Sequence, residues 1–149
     1  MFHSQFHIPS SLIELIENGV WPNSLESQRK QRLIPKIAKE DVKKISPEDD
    51  CIELMRHPFH TIQDEVDGGN EFWTTYLSNV GEIEYDKALI IADFGLGSDS
   101  PIILYYKEPI SPTVMYLKWS GNGKNISHSW VQTHSSFEKF AEDVGIIDA

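Results

Sequence analysis

The sequence predicts an α+β fold in which a single, mostly antiparallel, curved sheet carries a helix from each end of the chain. Four strand-like segments follow one another between residues 87 and 133, a capped helical pattern precedes them near residue 11, and another follows them near residue 135. Consecutive strands joined by turns pair as antiparallel neighbours. Helices outside such a run of strands pack on the sheet, which is the α+β arrangement. One domain over residues 1–149 suffices for a chain of this length.

The N-terminal helix is predicted to begin at Ser11. Ser11 and Glu14 have capping-box spacing, in which a hydroxyl and a carboxylate three residues apart satisfy each other's backbone donors. Gly19 is suited to a left-handed stop after the helix. The apolar face between them consists of Leu12, Leu15 and Ile16.

Residues 25–44 hold seven of the 13 basic residues and few apolar ones. Because Pro35 interrupts the stretch, we expect a short helix, then a turn and an exposed connector. Aromatic residues, which stack on bases in single-stranded nucleic acids, are not interleaved with these cations. A solvated, salt-bridged surface is therefore the favoured interpretation.

Residues 46–69 are rich in loop-forming residues. A short strand is predicted at Cys51–Met55. A turn of helix is predicted at residues 61–66, with Thr61 as its cap and Asp64 three residues further on.

The second half of the chain reads as a run of strands separated by turns. The first is nearly all apolar, which is typical of a central strand covered on both faces. The segment between the first two strands is a concentrated turn signal, and it leads into a β-favouring stretch rather than a helix. The predicted strands are residues 87–93, 102–106, 114–119 and 127–133. The residues proposed for the turn are Gly95, Gly97, Ser98, Asp99 and Pro101.

A capped helix is predicted to close the chain. Ser135 and Glu138 repeat the capping-box spacing, and Gly145 ends the helix. Its buried stripe is expected to be Phe137, Phe140, Ala141 and Val144.

Charge and composition narrow the classes of partner. The net charge is −10, from 23 acidic and 13 basic residues. Nucleic acid is an unfavourable partner for such a chain, whereas a basic protein would be attracted to it. The single cysteine, Cys51, excludes an internal disulfide and is expected to be a small buried hydrophobe. With no secretory signal and no apolar run longer than the five residues 88–92, we expect a cytoplasmic protein without a membrane partner.

No motif in the sequence predicts catalysis. Asp93-Phe94-Gly95 copies a kinase triplet, but the other kinase motifs are missing. His57 and His60 straddle Pro58, which breaks the helix that would align them as metal ligands. Gly-x-Ser-x-Gly does not occur, and the paired carboxylates lie in segments expected to be exposed. We therefore predict no enzyme activity, no metal and no cofactor.

Residues 88–106, Ala-Leu-Ile-Ile-Ala-Asp-Phe-Gly-Leu-Gly-Ser-Asp-Ser-Pro-Ile-Ile-Leu-Tyr-Tyr, resemble the signature of the SUKH superfamily in its Smi/Knr branch. Residues 112–119 resemble the next strand of that family, and Trp130-Val131 with residues 136–140 resemble its closing strand and helix. The likeness reaches back through residues 58–62 and Phe72-Trp73. Tyr105 departs from the family, since relatives often carry an acid at that position.

The resemblance implies an α+β protein that acts through protein contacts and has no common catalytic residues. Many bacterial members are immunity proteins, or antitoxins, that neutralise a toxin encoded beside them. The resemblance therefore implies that the partner of this chain is a cognate polymorphic toxin, for example a nuclease. Fungal relatives act as signalling and cell-wall-synthesis scaffolds. A scaffold or small-ligand sensor without a toxin partner is the alternative, and an enzyme of unrecognised type is a third hypothesis.

Partner contacts are expected at acidic side chains and at partly exposed tryptophans. A monomer or weak dimer is expected. Trp21 and Trp119 lie beside turns and are candidates for partial exposure, whereas Trp73 and Trp130 are expected in the core. Carboxylates that could approach a basic cleft in place of phosphates are Asp64, Glu65, Asp67, Asp93 and Asp99.

Overall fold

Five helices and six strands occur in residues 5–70, 82–95, 100–120 and 127–148, which a computed structural model of the chain describes. They are, in chain order, α1 (Ser10–Glu17), α2 (Leu25–Lys30), α3 (Lys39–Ile45), β1 (Ile52–Leu54), β2 (His60–Thr61), α4 (Ile62–Asp67), β3 (Ala88–Phe94), β4 (Pro101–Tyr105), β5 (Thr113–Ser120), β6 (Ser127–His134) and α5 (Phe137–Asp143). A 3₁₀ turn at Tyr85–Lys87 precedes β3.

The strands form an open, curved antiparallel sheet in the order β1-β3-β4-β5-β6, and β2 also pairs with β3. The predicted α+β class is confirmed. Each of the four strands predicted in the second half of the chain lies within one residue of its predicted bounds. Short apolar runs between turn signals were sufficient to place them.

The sheet buries side chains on both faces. The larger cluster includes Leu12 of α1 and Phe137 of α5 against sheet residues such as Leu104, so the terminal helices pack on the sheet as predicted. A smaller cluster on other sheet residues includes Trp130 and Ile62 of α4. The expected core position of Trp130 is confirmed, since only 6% of it is exposed. Trp73 lies outside the described residues.

The glycine-rich turn joins β3 to β4 and therefore leads into a strand, as predicted. Gly95 has φ of 77°, a value that favours glycine. Its N–H donates to the carbonyl of Cys51 at 2.8 Å, and Phe94 N–H donates to Ser100 O at 3.1 Å. Pro101 is the first residue of β4. The other members of the predicted turn, Gly97, Ser98 and Asp99, lie outside the described residues.

The predicted caps of the two terminal helices are displaced. Helix α1 begins at Ser10 after Pro9 and has no side-chain cap. Ser11 lies within the helix and donates to Glu138 Oε1 at 2.9 Å, a bond that joins α1 to the start of α5. The N-cap of α5 is Ser136, whose hydroxyl accepts from Lys139 N–H at 3.2 Å. Both helices keep the buried stripes that their apolar spacing predicted.

Residues 25–44 contain more structure than predicted. The short helix is α2, but α3 takes the place of part of the exposed connector. Ile37 is 2% exposed and belongs to the larger core, whereas Leu33 and Ile34 are exposed. The sparse apolar pattern did not distinguish these positions, because only tertiary packing decides which isolated aliphatic residue is covered.

Helix α2 covers the edge strand β1 through glutamine side chains. Gln31 is 4% exposed. Its Nε2 donates to Leu54 O and its Oε1 accepts from Leu54 N–H, both at 2.9 Å. Gln28 Oε1 accepts from Arg56 N–H at 2.8 Å. The Gln31 amide thus pairs with β1 as a neighbouring strand would, and it satisfies backbone groups that an open sheet edge would leave unpaired.

Replacing Gln31 with alanine should lower the free energy of unfolding by about 2–3 kcal/mol, because it leaves a buried N–H and a buried carbonyl of Leu54 without partners. Urea denaturation measures this loss. Gln132→Ala is the matched control, since Gln132 is exposed on β6. Equal stability of the two variants would show that the amide pairing contributes nothing.

Tyr106 connects the N-terminal segment to the end of β4. Its ring packs against Phe6 with centroids 4.8 Å apart, and its hydroxyl donates to His7 O at 2.9 Å. Burial raises the pKa of Tyr106 above its ordinary value of 10.0. The unfolded chain therefore loses this proton first as the pH rises.

Stability should consequently fall as the pH rises above about 10, where the unfolded tyrosine ionises and the folded one does not. Tyr106→Phe removes this contribution. The free energy of unfolding of this variant should therefore fall less steeply between about pH 9.5 and about pH 11.5. Chemical denaturation at a series of pH values gives the two slopes. Parallel slopes would mean that Tyr106 does not contribute to alkaline sensitivity.

Candidate functional site

A cavity opens where β1 and β2 pair with the same edge of β3. Leu54 of β1 is in register with Ala92, and His60 of β2 is in register with Ile90. The opposite edge of β3 is occupied by β4. Met55 N–H still donates to Ile91 O at 2.8 Å. The chain then leaves the sheet at residues 56–59, where Pro58 has no N–H with which to continue a ladder. The loop that results forms one wall of the cavity.

The cavity has a volume of about 440 Å³ and is lined by polar and apolar side chains. Six consecutive residues, 55–60, contribute to the lining. The remaining described lining comes from α2, α4, the segment after α4, β3 and β4. These residues are Gln28, Glu65, Asn70, Ile90, Asp93 and Pro101.

Two of the carboxylates predicted to contact a partner, Glu65 and Asp93, meet at this cavity although they are far apart in the sequence. Both side chains are half-buried. Asn70 Nδ2 donates to Glu65 Oε2 at 3.2 Å, which restrains that carboxylate. Arg56 is exposed on the loop wall. The cavity therefore offers hydrogen-bond acceptors and donors around an apolar surface formed by Met55, Phe59 and Ile90 together with both prolines.

The other acidic residues of α4 do not line the cavity. Asp64 and Thr61 form the predicted capping box, with Thr61 N–H donating to Asp64 Oδ2 and Asp64 N–H donating to Thr61 Oγ1, both at 2.9 Å. The cap fixes the first turn of α4, on which Glu65 lies. Asp67 is exposed and accepts from Gln63 Nε2 at 2.9 Å. These side chains make the α4 surface beside the cavity acidic. Asp99 lies outside the described residues.

Trp21 is buried, so its expected partial exposure, on which its candidacy as a partner contact depended, is wrong. None of its surface is exposed. Its Nε1–H donates to Met55 O at 2.8 Å, and its ring meets Phe59 edge-on with centroids 6.4 Å apart. The turn after α1 directs the side chain into the core. Its position beside a turn did not predict this burial, because burial depends on contacts with residues distant in the sequence. Trp21 thus supports the cavity loop from behind.

Trp119 is half-buried, in agreement with its expected partial exposure. It packs against the smaller core cluster and meets the His128 ring edge-on, with centroids 5.0 Å apart. It does not line the cavity described above. The two predicted tryptophan contacts therefore do not belong to one surface with Glu65 and Asp93.

Several cavity residues were not predicted as functional. No sequence motif surrounds Gln28, Arg56 or Asn70. The spacing of His57 and His60 suggested only a test for metal ligands. Pro58 between the two histidines was the available signal, because a proline between strand-like segments marks a place where pairing stops. The side chains that line the cavity beside this proline come partly from α2 and α4, whose packing the sequence did not predict.

Glu53 is a further charged residue that sequence reasoning missed. It is 5% exposed on β1, in register with Asp93. Arg32 Nε lies 3.4 Å from its Oε2, and Gln28 Nε2 lies 3.4 Å from its Oε1. A buried carboxylate requires such partners. The pair connects α2 to the strand that begins the cavity loop.

The described side chains offer few groups suited to metal or thiol chemistry. No group of three or more potential metal ligands occurs among residues 5–70, 82–95, 100–120 and 127–148. Cys51 is half-buried rather than buried as expected, and burial raises the pKa of its thiol. The protonated thiol is a weak nucleophile.

Trp21→Phe should lower the free energy of unfolding by about 1–3 kcal/mol, because Met55 O loses its buried donor. It should also shift the amide resonances of residues 55–60 in a two-dimensional NMR spectrum. Trp119→Phe is the matched control and should shift neither these resonances nor the stability to the same extent. Unchanged loop resonances in Trp21→Phe would contradict the supporting role of Trp21.

Every helix in the described part of the chain falls short of the length and apolarity that crossing a membrane requires. No protein-family model, curated protein or solved structure matches the chain significantly. The SUKH resemblance therefore stays a prediction, and the case for function rests on the cavity and its charges.

Proposed function

We propose that this protein is a protein-binding module, a bacterial immunity protein that neutralises a cognate polymorphic toxin by occluding it. The observation that carries the proposal is the meeting of Glu65 and Asp93 at one cavity. Their charge predicts both as partner contacts, and both line the same cavity. The SUKH resemblance of residues 88–106 supplies the expectation that the partner is a toxin.

Charge supports a basic partner surface. The net charge of −10 accelerates the approach of a positively charged protein at low salt. If the toxin is a nuclease, its substrate cleft is basic, and half-buried carboxylates can occupy it in place of phosphates. Tight inhibitor interfaces bury roughly 1,600 Å² and depend on a few anchors in desolvated pockets. The cavity with its apolar lining can receive one such anchor from the toxin.

The proposal includes a cytoplasmic location, action without catalysis or a cofactor, and a monomer or weak dimer as the free form. Occlusion requires only that the complex cover the toxin's working surface. A rigid surface suits this task, because little conformational entropy is lost on binding. The hydrogen bonds of Asn70 and of the α4 cap contribute such restraint.

Co-expression tests the proposal. A toxin encoded beside this gene should arrest bacterial growth when expressed alone, and co-expression of this protein should restore growth. Purified toxin and immunity protein should then form a complex on a gel-filtration column. Failure of rescue and of complex formation with the neighbouring gene product would contradict the proposal.

The double variant Glu65→Gln, Asp93→Asn should bind the toxin about tenfold more slowly at low ionic strength, because steering by charge acts mainly on the association rate. The difference should shrink as salt increases. The control Glu17→Gln, Glu142→Gln removes the same charge from exposed positions on α1 and α5. Surface plasmon resonance at two salt concentrations separates them, and equal association rates for both variants would remove the cavity from the interface.

A small-ligand sensor or scaffold is the second candidate function, and the cavity volume of about 440 Å³ favours it. Ligand pockets commonly measure roughly 300–1,000 Å³ and combine apolar walls with a few polar groups. A metabolite that binds there would raise the thermal unfolding temperature by mass action. The sensor would be favoured if a metabolite raised the unfolding temperature, if Glu65→Gln, Asp93→Asn abolished this increase, and if the protein rescued no toxin.

A further inference from the structure

The chain has a strongly basic segment within an acidic protein. Residues 27–39 contain five basic residues and no acidic one, whereas the rest of the chain has 23 acidic and eight basic residues. The five cations are Arg29, Lys30, Arg32, Lys36 and Lys39. This segment runs from α2 to the start of α3. Gln28, near its beginning, lines the cavity described above, whereas none of the five cations does.

Two aliphatic side chains protrude from the middle of this basic segment. Leu33 is 86% exposed and Ile34 is 73% exposed. Both N–H groups donate to Lys30 O, at 3.0 Å and 2.9 Å, so the backbone turns tightly at this point. Exposed aliphatic residues are common singly, whereas an adjacent apolar pair surrounded by cations is a candidate contact surface.

The turn is held in place on both sides. Gln31 is buried and pairs with the backbone of Leu54, and Ile37 is buried in the larger core. Leu33 and Ile34 therefore project from a fixed base. We name residues 32–36, Arg-Leu-Ile-Pro-Lys, the basic apex.

Most of the surrounding cations are available to an external anion. Arg29, Lys30 and Lys36 are exposed and form no ion pair within the described part of the chain. Arg32 is engaged with Glu53, and Lys39 Nζ lies 3.8 Å from Asp50 Oδ1. The expected salt-bridged surface is thus realised only in part.

We propose that the basic apex docks on an anionic lipid surface. Aliphatic side chains that project convexly can enter the boundary between head groups and acyl chains, and neighbouring Lys and Arg side chains then meet anionic head groups. Because attraction to such a surface decays within a Debye length of about 8 Å at physiological salt, the acidic body behind the apex is largely screened. Contact of this kind is peripheral and reversible and needs no membrane-spanning helix. The proposal therefore departs from the expectation, based on the length of the apolar runs, that the protein has no membrane partner.

Other occupants fit these observations less well. The phosphates of a nucleic acid would contact the cations. Its bases would gain little from two protruding aliphatic side chains, because bases stack on aromatic residues. A second copy of this chain would carry the same cations in its own basic segment, and like charges would meet in a symmetric contact. An anionic bilayer accommodates both the charge and the aliphatic pair.

Vesicle sedimentation tests the proposal with the full chain. Vesicles of phosphatidylcholine containing about one third phosphatidylserine should sediment the protein, and vesicles of phosphatidylcholine alone should not. Leu33→Ser, Ile34→Ser should reduce the bound fraction at limiting lipid about tenfold, because it removes the two groups that enter the bilayer. Ile110→Ser is the matched control, since Ile110 is 71% exposed but lies outside the basic segment.

A second variant separates charge from apolar insertion. Arg29→Gln, Lys30→Gln, Lys36→Gln keeps the aliphatic pair and should reduce binding at least tenfold, because each cation contributes to attraction by anionic lipid. Circular dichroism melting curves should be unchanged in all variants, as the substituted side chains are exposed. Added salt should weaken binding of the parent protein.

Several results would overturn the proposal. One is absence of sedimentation with the phosphatidylserine vesicles, and another is binding that the Leu33, Ile34 variant retains in full. Stronger binding of duplex DNA by the same cations would assign the segment to nucleic acid. Concentration-dependent dimerisation that the Leu33, Ile34 variant abolishes, without lipid binding, would assign it to a second copy. None of these results bears on toxin rescue, so the two proposals can fail independently.

Discussion

The candidate site depends on one constraint, the pairing of two short strands with the same edge of β3. Strand β1 pairs with residues 92–94, Met55 N–H donates to Ile91 O at 2.8 Å, and β2 pairs with residues 89–90. Residues 56–59 therefore lie outside this pairing with β3. Pro58 lies in this connection and cannot donate to a ladder. The loop must therefore stand away from β3, and a cavity opens between the loop, α4 and the strand.

Hydrogen bonds to the backbone, two sets from side chains and one from the backbone, hold this arrangement from three directions. Trp21 donates to Met55 O from the core, Gln31 pairs with Leu54 from α2, and Gly95 N–H donates to Cys51 O from the turn after β3. Each bond satisfies a backbone group of β1 or of its adjoining residues, which buried or edge positions would otherwise leave unpaired. Residues distant in sequence thus determine the shape of a loop that none of them belongs to.

Local signals in the sequence predicted most of the elements. Apolar runs bounded by turns located the strands, and the spacing of Thr61 and Asp64 located the cap of α4. The burial of Trp21, Ile37 and Glu53 depends on tertiary packing and was not predicted. The cavity shares this origin. Charge alone was enough to propose individual carboxylates as partner contacts. That two of them line one cavity depends on how β1 and β2 pair with β3, and only β1 was predicted from the sequence.

We propose that a protein partner covers the loop between β1 and β2 together with α4. Hydrogen–deuterium exchange of the protein, alone and with the protein encoded beside it, measures this directly. Exchange should slow on binding at residues 55–60 and 62–67, with α1 and α5 unchanged. Protection confined to α1 and α5, with the loop and α4 exchanging as in the free protein, would contradict it.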